Sequence, residues 1–182
     1  MKINKIFFQS GCAGITVSAI LFISPAFAQT NPKLSDPEVA SVAVVANQID
    51  IEYAEIATKK SKDAEVLKFA QTMINDHTAV INKAAALVKK LGVTPKDNTV
   101  SQKLLADAEK TKKALRSKSA NAFNKAYVDN EVAYHKAVIA AVEGLLIPET
   151  DNAELKELLQ NVVPALKAHL GHAEMLQKSI NK

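Results

Sequence analysis

The spacing of apolar side chains in this sequence allows few structures other than helices. From residue 36 to the C-terminus, Val, Ile, Leu, Ala and Met recur at intervals of three and four residues along four long stretches. This period places apolar side chains on one face of an α-helix, and no stretch shows the strict alternation that is typical of a half-buried strand. Ala, Leu, Lys, Glu and Gln, which all favour helices, fill most other positions. The sequence therefore predicts an all-α protein.

Cap residues, prolines and glycines predict where the helices begin and end. Gly92 is suited to a helix C-terminus, Pro148 should end a helix before it, and Pro164 should kink the last one. N-terminal caps or capping boxes are expected at Ser35, Asp63, Thr99 and Asp151. The predicted helices cover 36–60, 63–91, 100–117, 119–147 and 152–180. The third of these is short and rich in lysine, so we expect it on the outside.

The connections between these helices predict their arrangement. The links at 60–63 and 147–151 are tight, so each should join two antiparallel neighbours. The middle link is long and carries the short helix, so it can run the length of a bundle. We therefore expect a ferritin-like four-helix bundle with a short extra helix in the long middle crossover. A plain up-down bundle with a fifth helix packed outside is the alternative.

The first 28 residues have the pattern of an export signal. Lys2 and Lys5 precede an uncharged, largely apolar run over 6–23, and the small-residue site Ala26-Phe27-Ala28 follows it. This order is typical of a secretory signal peptide, cleaved here after Ala28, and an N-terminal membrane anchor is the alternative. We predict a signal peptide at 1–28, a flexible N-terminus at 29–35 and a helical-bundle domain at 36–182. The mature protein is then periplasmic or secreted.

Cleavage would change the charge and the cysteine content of the protein. It would remove the only cysteine, Cys12, with two of the 23 Lys and Arg residues and none of the 19 Asp and Glu residues, so the net charge falls from +4 to +2. Lysines are spread over every segment, and no clustered basic face for nucleic acid is expected. No second apolar run reaches the roughly 20 residues of a membrane span. The sequence therefore predicts no thiol chemistry, no nucleic-acid partner and no membrane span in the mature chain.

Polar side chains interrupt the apolar stripe of every long helix. Glu52, His77, His135 and His169 each occupy a stripe position on a different helix, and Glu131 lies one turn before His135. Such groups are costly to bury unless they are paired, hydrogen-bonded or bound to a metal ion. Imidazole and carboxylate groups that converge in a bundle core are typical of first-row transition-metal sites. We therefore predict these five residues as candidate metal ligands, with a purely structural polar layer or partly exposed histidines as the alternatives.

The chain lacks the common catalytic motifs. It contains no G-x-S-x-G, no glycine-rich phosphate loop, no C-x-x-C and no H-E-x-x-H. Few loops and few glycines leave little material for a conventional catalytic cleft. A non-enzymatic role is therefore favoured over an enzymatic one.

Three segments of the chain resemble a family of exported bacterial proteins. The strings at 65–78, 123–135 and 164–170 are similar to those of a ferritin-like family of unknown function that is often labelled "predicted outer membrane protein". The resemblance covers about 36–180, and its M-x-x-D-H element is the most specific part. Matching positions are Glu52, Met73, Asp76, His77, Tyr127, His135 and His169. The resemblance implies an exported helical protein whose activity is unknown.

The similarity to true ferritins is weaker in the metal-binding motif. A di-iron site of their type needs Glu-x-x-His on two helices. Ile74 and Leu166 stand three residues before His77 and His169, so this motif is missing and ferroxidase chemistry is not expected. The sequence as a whole predicts a periplasmic bundle of unknown activity that binds a transition metal in its core or acts in stress response. The alternative is a non-catalytic structural or protein-interaction bundle whose His and Glu layer is purely structural.

Overall fold

The computed structural model describes residues 33–181, and these residues form helices joined by short connections. No strand occurs in this part of the chain, so the all-α prediction is confirmed. Among the same residues, no helix is both long enough and apolar enough to cross a membrane. The predicted signal peptide lies outside the described residues. The elements are α1 (Asp36–Lys60), α2 (Ala64–Leu91), α3 (Thr99–Ser117), α4 (Ala120–Ala141), a π-helical segment (Val142–Leu146), α5 (Ile147–Glu149) and α6 (Ala153–Ile180).

Local cap chemistry explains several of the helix ends. The Asp63 carboxylate accepts hydrogen bonds from the backbone N–H groups of Glu65 and Val66, as predicted for the start of α2. Gly92 ends this helix in the left-handed region with φ +64°, which a residue without a Cβ adopts at little cost. At the start of α1, the backbone N–H of Ser35 donates to the Glu38 carboxylate at 3.0 Å.

Two predicted N-terminal caps are wrong by one residue. The cap of α3 is Asn98 rather than Thr99, and the cap of α6 is Asn152 rather than Asp151. In both cases the asparagine side chain accepts from the first turn of its own helix, and α1 adds a contact. The Asn98 side-chain amide also donates to the backbone carbonyl of Glu38, and the Asp36 carboxylate accepts from the backbone N–H groups of residues 151 and 152. Local sequence does not contain these long-range bonds.

The predicted end of a helix before Pro148 is also wrong. The helix that begins with α4 continues through the π-helical segment and ends after α5 at Glu149. Proline cannot donate a backbone hydrogen bond, and its ring clashes with the carbonyl four residues earlier in a regular α-helix. The wider π turn, in which Ile147 N–H donates to the Val142 carbonyl, gives the ring room. Pro164 lies inside α6, which continues past it, and the kink at this proline stays a prediction.

The helices pack in pairs along their length. α1 packs against α2 and α4, α6 packs against the same two helices, and α3 lies along α1. Lys90 at the end of α2 pairs with Glu154 at the start of α6, and Asp36 at the start of α1 binds the same N-terminus. At the opposite end, Lys60 of α1 donates to the carbonyl of Lys118, just after α3. α3 therefore carries the chain along the length of α1, from the end of α2 to the start of α4.

The apolar core consists of two clusters. The first, here called the aromatic cluster, contains Phe69, Phe123 and Tyr127, all fully buried, with aliphatic neighbours. The second, the aliphatic cluster, contains no aromatic side chain among the described residues. Its buried members are Leu34, Val39, Ala40, Val42, Ile139, Val142, Leu146, Leu155, Leu159, Val163 and Leu166. On α2, α4 and α6 a buried histidine separates the residues of one cluster from those of the other.

The Glu38 capping contact predicts a pH-dependent contribution to stability. The backbone N–H and hydroxyl of Ser35, with Lys96 nearby, lower the pKa of Glu38 to about 2. Because this pKa is depressed in the folded protein, the stabilisation is complete above the usual carboxyl range and is lost as the pH falls towards 2. We expect Glu38→Gln to lower the melting temperature at pH 7 and to have no effect near pH 2. Thermal unfolding across this range tests it, with the exposed Glu55→Gln of the same helix as control, and an equal loss at both pH values would contradict it.

Candidate metal centre

Three imidazole rings from three helices meet between the two apolar clusters. His77 of α2, His135 of α4 and His169 of α6 are all buried. One ring nitrogen from each lies within 4.8 Å of the corresponding nitrogens of the other two. Their ring centroids are 5.3 to 5.8 Å apart. The structure thus brings together three of the five candidate ligands that the sequence indicated.

Each of these rings has one nitrogen hydrogen-bonded to an acceptor on the outside of the cluster. His77 Nδ1 lies 2.7 Å from Asn47 Oδ1, and His135 Nδ1 lies 3.0 Å from the backbone carbonyl of Glu131. His169 Nε2 lies 2.9 Å from a carboxylate oxygen of Asp76. The Asn47 amide group donates to the carbonyl of Ala43, which fixes its oxygen towards the ring. These acceptors place the imidazole proton on the outer nitrogen of each neutral ring.

The inner nitrogens are left without partners. His77 Nε2, His135 Nε2 and His169 Nδ1 are buried and have no hydrogen-bond partner among the described residues. In the tautomers just described, each of them carries a lone pair and no proton. Lone pairs cannot hydrogen-bond to one another, so each of the three nitrogens needs a hydrogen-bond donor or a cation.

A fourth buried group, Asp50 of α1, lies beside two of these nitrogens. Its Oδ2 is 3.4 Å from His77 Nε2 and 3.5 Å from His135 Nε2, and its Oδ1 has no hydrogen-bond partner in the described chain. A tetrahedral ion with ligand bonds of about 2.0–2.1 Å holds its ligand atoms about 3.3 Å apart. The observed spacing therefore suits two ligands of one metal ion better than it suits a hydrogen bond.

Sequence reasoning missed Asp50 and selected Glu52 in its place. Asp50 is flanked at four-residue spacing by Ala46 and Ala54, both buried, and this small-residue stripe was the available signal. Glu52 lies on another side of α1, where its carboxylate pairs with Lys112 of α3. It does not join the histidines. Because α3 packs against α1, α1 has buried residues on a second side, and the apolar stripe through Glu52 lies on that side.

Glu131, the fifth candidate, lies next to the cluster. Its carboxylate is fully buried, and neither oxygen has a hydrogen-bond partner within the described residues. One carboxylate oxygen is 3.5 Å from His135 Nδ1, and ligand atoms of Glu131, Asp50 and His135 lie within 4.8 Å of one another. The fully buried hydroxyl of Tyr127, one turn earlier on α4, also has no partner there. Two carboxyl groups therefore share this part of the core.

Burial favours the neutral form of Asp50, Glu131, His77 and His135. It raises the pKa of Asp50 to about 8, and together with the negative charge of Asp50 it raises the pKa of Glu131 well above its usual range. Burial and the neighbouring rings lower the pKa of His77 to about 3 and that of His135 to about 4. The ion pairs of the described chain bring no Lys or Arg to Asp50 or Glu131. A cation that enters must therefore replace protons.

These shifts predict an unusual effect of Asp50→Asn on the metal-free protein. Because the pKa of Asp50 is raised on folding, its ionisation destabilises the folded state increasingly as the pH rises from about 4 to 8. An amide avoids this ionisation and can donate to the unpaired ring nitrogens. We expect Asp50→Asn to stabilise the protein by about 1–3 kcal/mol at pH 8 and by less at pH 4. Urea unfolding in the presence of a chelator measures this, Glu52→Gln should not stabilise, and a loss of stability of Asp50→Asn at pH 8 would contradict the argument.

Comparison with known proteins identifies the family and leaves the activity open. A family model described as "Domain of unknown function (DUF4142)" matches residues 23–176, which contain Asp50 and all three clustered histidines. Among curated proteins and among solved structures, none matches the chain significantly. The match agrees with the resemblance to a family of unknown function that the sequence motifs indicated. With a family model matched over most of its length, the chain belongs to this family of domains of unknown function.

Proposed function

We propose that this protein is an exported, ferritin-like helical bundle that binds one divalent transition-metal ion in its core through His77, His135, His169 and Asp50. The observation that carries the proposal is the orientation of the three imidazoles. Each has its outer nitrogen bonded to an acceptor and its inner nitrogen unpaired, with the inner nitrogens turned towards one another. Histidines that bind metal ions are held in this way by a bond from the nitrogen that does not bind.

A purely structural polar layer accounts less well for the same residues. Such a layer is stable when its donors and acceptors satisfy each other. Here the three unpaired ring nitrogens only accept, and the neutral carboxyl group of Asp50 has one proton, which it can donate to one of them. A cation satisfies all of them at once, and for this reason we favour metal binding over the structural role.

The donor set narrows the choice of ion. Three imidazoles with one carboxylate and no thiolate suit Zn²⁺, Cu²⁺, Fe²⁺ or Mn²⁺ rather than Cu⁺. Asp50 and Glu131 would together carry two negative charges in the core when ionised, with no basic side chain paired to either. A divalent cation balances both charges, which a monovalent ion does not.

The helix arrangement supports the ferritin-like part of the proposal. α2 and α4 are consecutive long helices, yet the neighbours of each are α1 and α6. The contacts at the bundle ends make α2 and α4 run in the same direction, with α3 bridging them along α1. A four-helix bundle with one lengthwise crossover has this order, whereas a plain up-down bundle pairs consecutive helices. Export to the periplasm, proposed from the signal pattern at 1–28, would expose the site to metal ions in that compartment.

A metal titration of the mature, untagged protein tests the proposal. We expect one equivalent of Zn²⁺, Cu²⁺, Fe²⁺ or Mn²⁺ to bind and to raise the melting temperature, because binding to the folded state alone stabilises it. His169→Ala should abolish this rise. The matched control is His172→Ala on the same helix, since His172 packs edge-on against Phe69 away from the cluster. If no metal binds, or if the two variants behave alike, the proposal is wrong.

The hydrogen bond that His169 donates to Asp76 predicts a smaller, graded effect. Asp76 is half exposed and does not belong to the inner cluster, but its carboxylate fixes the tautomer and the orientation of the ring. Loss of such an outer partner typically weakens metal binding about 10–100-fold. We therefore expect Asp76→Asn to bind the same ion with the same stoichiometry and with an affinity reduced by about that factor. Isothermal calorimetry measures it, with Asp129→Asn as a surface control, and an unchanged affinity would exclude this role for Asp76.

A further inference from the structure

The two ends of the bundle are packed to different degrees. In the aromatic cluster, the alanines Ala54, Ala57, Ala70 and Ala173 are all 0 % exposed. On the other side of the histidines, Ala46 and Ala84 retain 9 % and 7 % exposure although they face the interior. The aromatic end is therefore closed, whereas space remains beside the aliphatic cluster.

This space is a cavity of about 540 Å³ that reaches the candidate metal centre. Asp50 and the three clustered histidines line one part of it, and Leu146, Leu155 and Leu159 line another. On α1 the lining extends from Ala40 to Tyr53, which corresponds to about 20 Å along the helix axis. The cavity is thus elongated along the bundle, and its volume lies within the range of about 300–1,000 Å³ that is usual for small-molecule sites.

The walls of the cavity indicate the kind of molecule that fits it. They are formed mainly by Ala, Val and Leu, and the two tyrosines that line the cavity, Tyr53 and Tyr134, belong to or pack against the aromatic cluster. Lys83, an exposed cation on α2, also lines the cavity and can face an anionic head group, whereas Asp76 and Asp107 add two carboxylates to the lining. A long, narrow, aliphatic space with a cation at its edge matches a single hydrocarbon chain with an acidic head.

We propose that this cavity binds one linear acyl chain of a fatty acid or of a phospholipid. The chain lies along the bundle axis between α1, α2, α4 and α6, against the aliphatic cluster. Binding depends on the alanines that leave the space open, and not on the ligands of the metal ion. The site is therefore separate in its chemistry from the metal centre, although the two adjoin.

A fluorescent fatty acid tests the proposal on the mature protein without metal. The chain contains no tryptophan, so the emission of cis-parinaric acid is observed without that background. We expect saturable binding of one probe per chain and displacement by dodecanoate. Ala84→Leu should fill part of the cavity, reduce the affinity for the probe at least tenfold and raise the melting temperature. Ala85→Leu, at the neighbouring exposed position of α2, should leave probe affinity unchanged.

A second variant and a second competitor complete the experiment. In Ala46→Leu the added side chain enters the cavity from α1, and it should reduce the affinity for the probe as Ala84→Leu does. If one of the two variants folds poorly, the other still tests the proposal. Displacement by dihexanoyl-phosphatidylcholine as well as by dodecanoate indicates a phospholipid chain, and displacement by dodecanoate alone indicates a free fatty acid. Absence of saturable binding, no displacement by either, or equal affinity in Ala84→Leu, Ala46→Leu and Ala85→Leu would overturn the proposal. Because the probe is bound to metal-free protein, its affinity does not depend on the metal proposal, and a failure of either proposal is distinguishable from a failure of the other.

Discussion

The rest of the core depends on one constraint, which is that several buried polar groups meet with too few protons to satisfy one another. Asp50, His77, His135 and His169 come from α1, α2, α4 and α6, so each long helix contributes one buried group, and Asp50 Oδ2 lies 3.4 Å and 3.5 Å from the Nε2 atoms of His77 and His135. Buried acceptors without partners are destabilising, and this penalty applies to all four helices at once. A divalent cation would satisfy these groups and would connect the four helices through its ligands. On this account, metal binding and the relative positions of the helices are coupled.

The position of this layer also explains the unequal packing of the bundle. Towards Phe69, Phe123 and Tyr127 the large rings close the core, and the histidines are bounded by side chains with no exposed surface. Towards Leu155 and Leu159 the walls are aliphatic and the helices leave a cavity. The candidate metal centre therefore lies at the boundary between a tightly packed end and an end that contains a cavity. Aromatic packing on one side keeps the rings in place, whatever occupies the other side.

Much of the fold could be predicted because its signals are local. The helical period, the Asp63 cap and the glycine at 92 act within a few residues, and the structure agrees with them. The caps at Asn98 and Asn152 are also local, because each side chain accepts from the first turn of its own helix, but the adjacent Thr99 and Asp151 are equally acceptable cap residues and the sequence pattern does not separate them. The π turn before Pro148 makes room for the proline ring, and the spacing of apolar residues does not indicate such a turn.

The choice between Asp50 and Glu52 shows the same limit at the candidate site. Two residues along a helix correspond to a rotation of about 200°, so the two carboxylates point to different sides of α1. α1 is covered both by its bundle partners and by α3, and for this reason its buried positions do not form a single stripe. The histidines were easier to find, since a lone polar side chain on an otherwise apolar stripe is conspicuous. Only the three-dimensional packing shows that Lys112 neutralises Glu52 and that Asp50 faces the rings.

X-ray absorption spectroscopy of the metal-loaded mature protein tests the central claim most directly, because it reports the ligands themselves. The account predicts four nitrogen or oxygen ligands at about 2.0–2.1 Å for Zn²⁺, with the multiple scattering of three imidazoles. It also predicts that one imidazole disappears from the spectrum of His169→Ala and none from that of His172→Ala. A first shell with fewer than two imidazoles, or one that is the same in both variants, would contradict the claim that the buried histidines hold the metal ion.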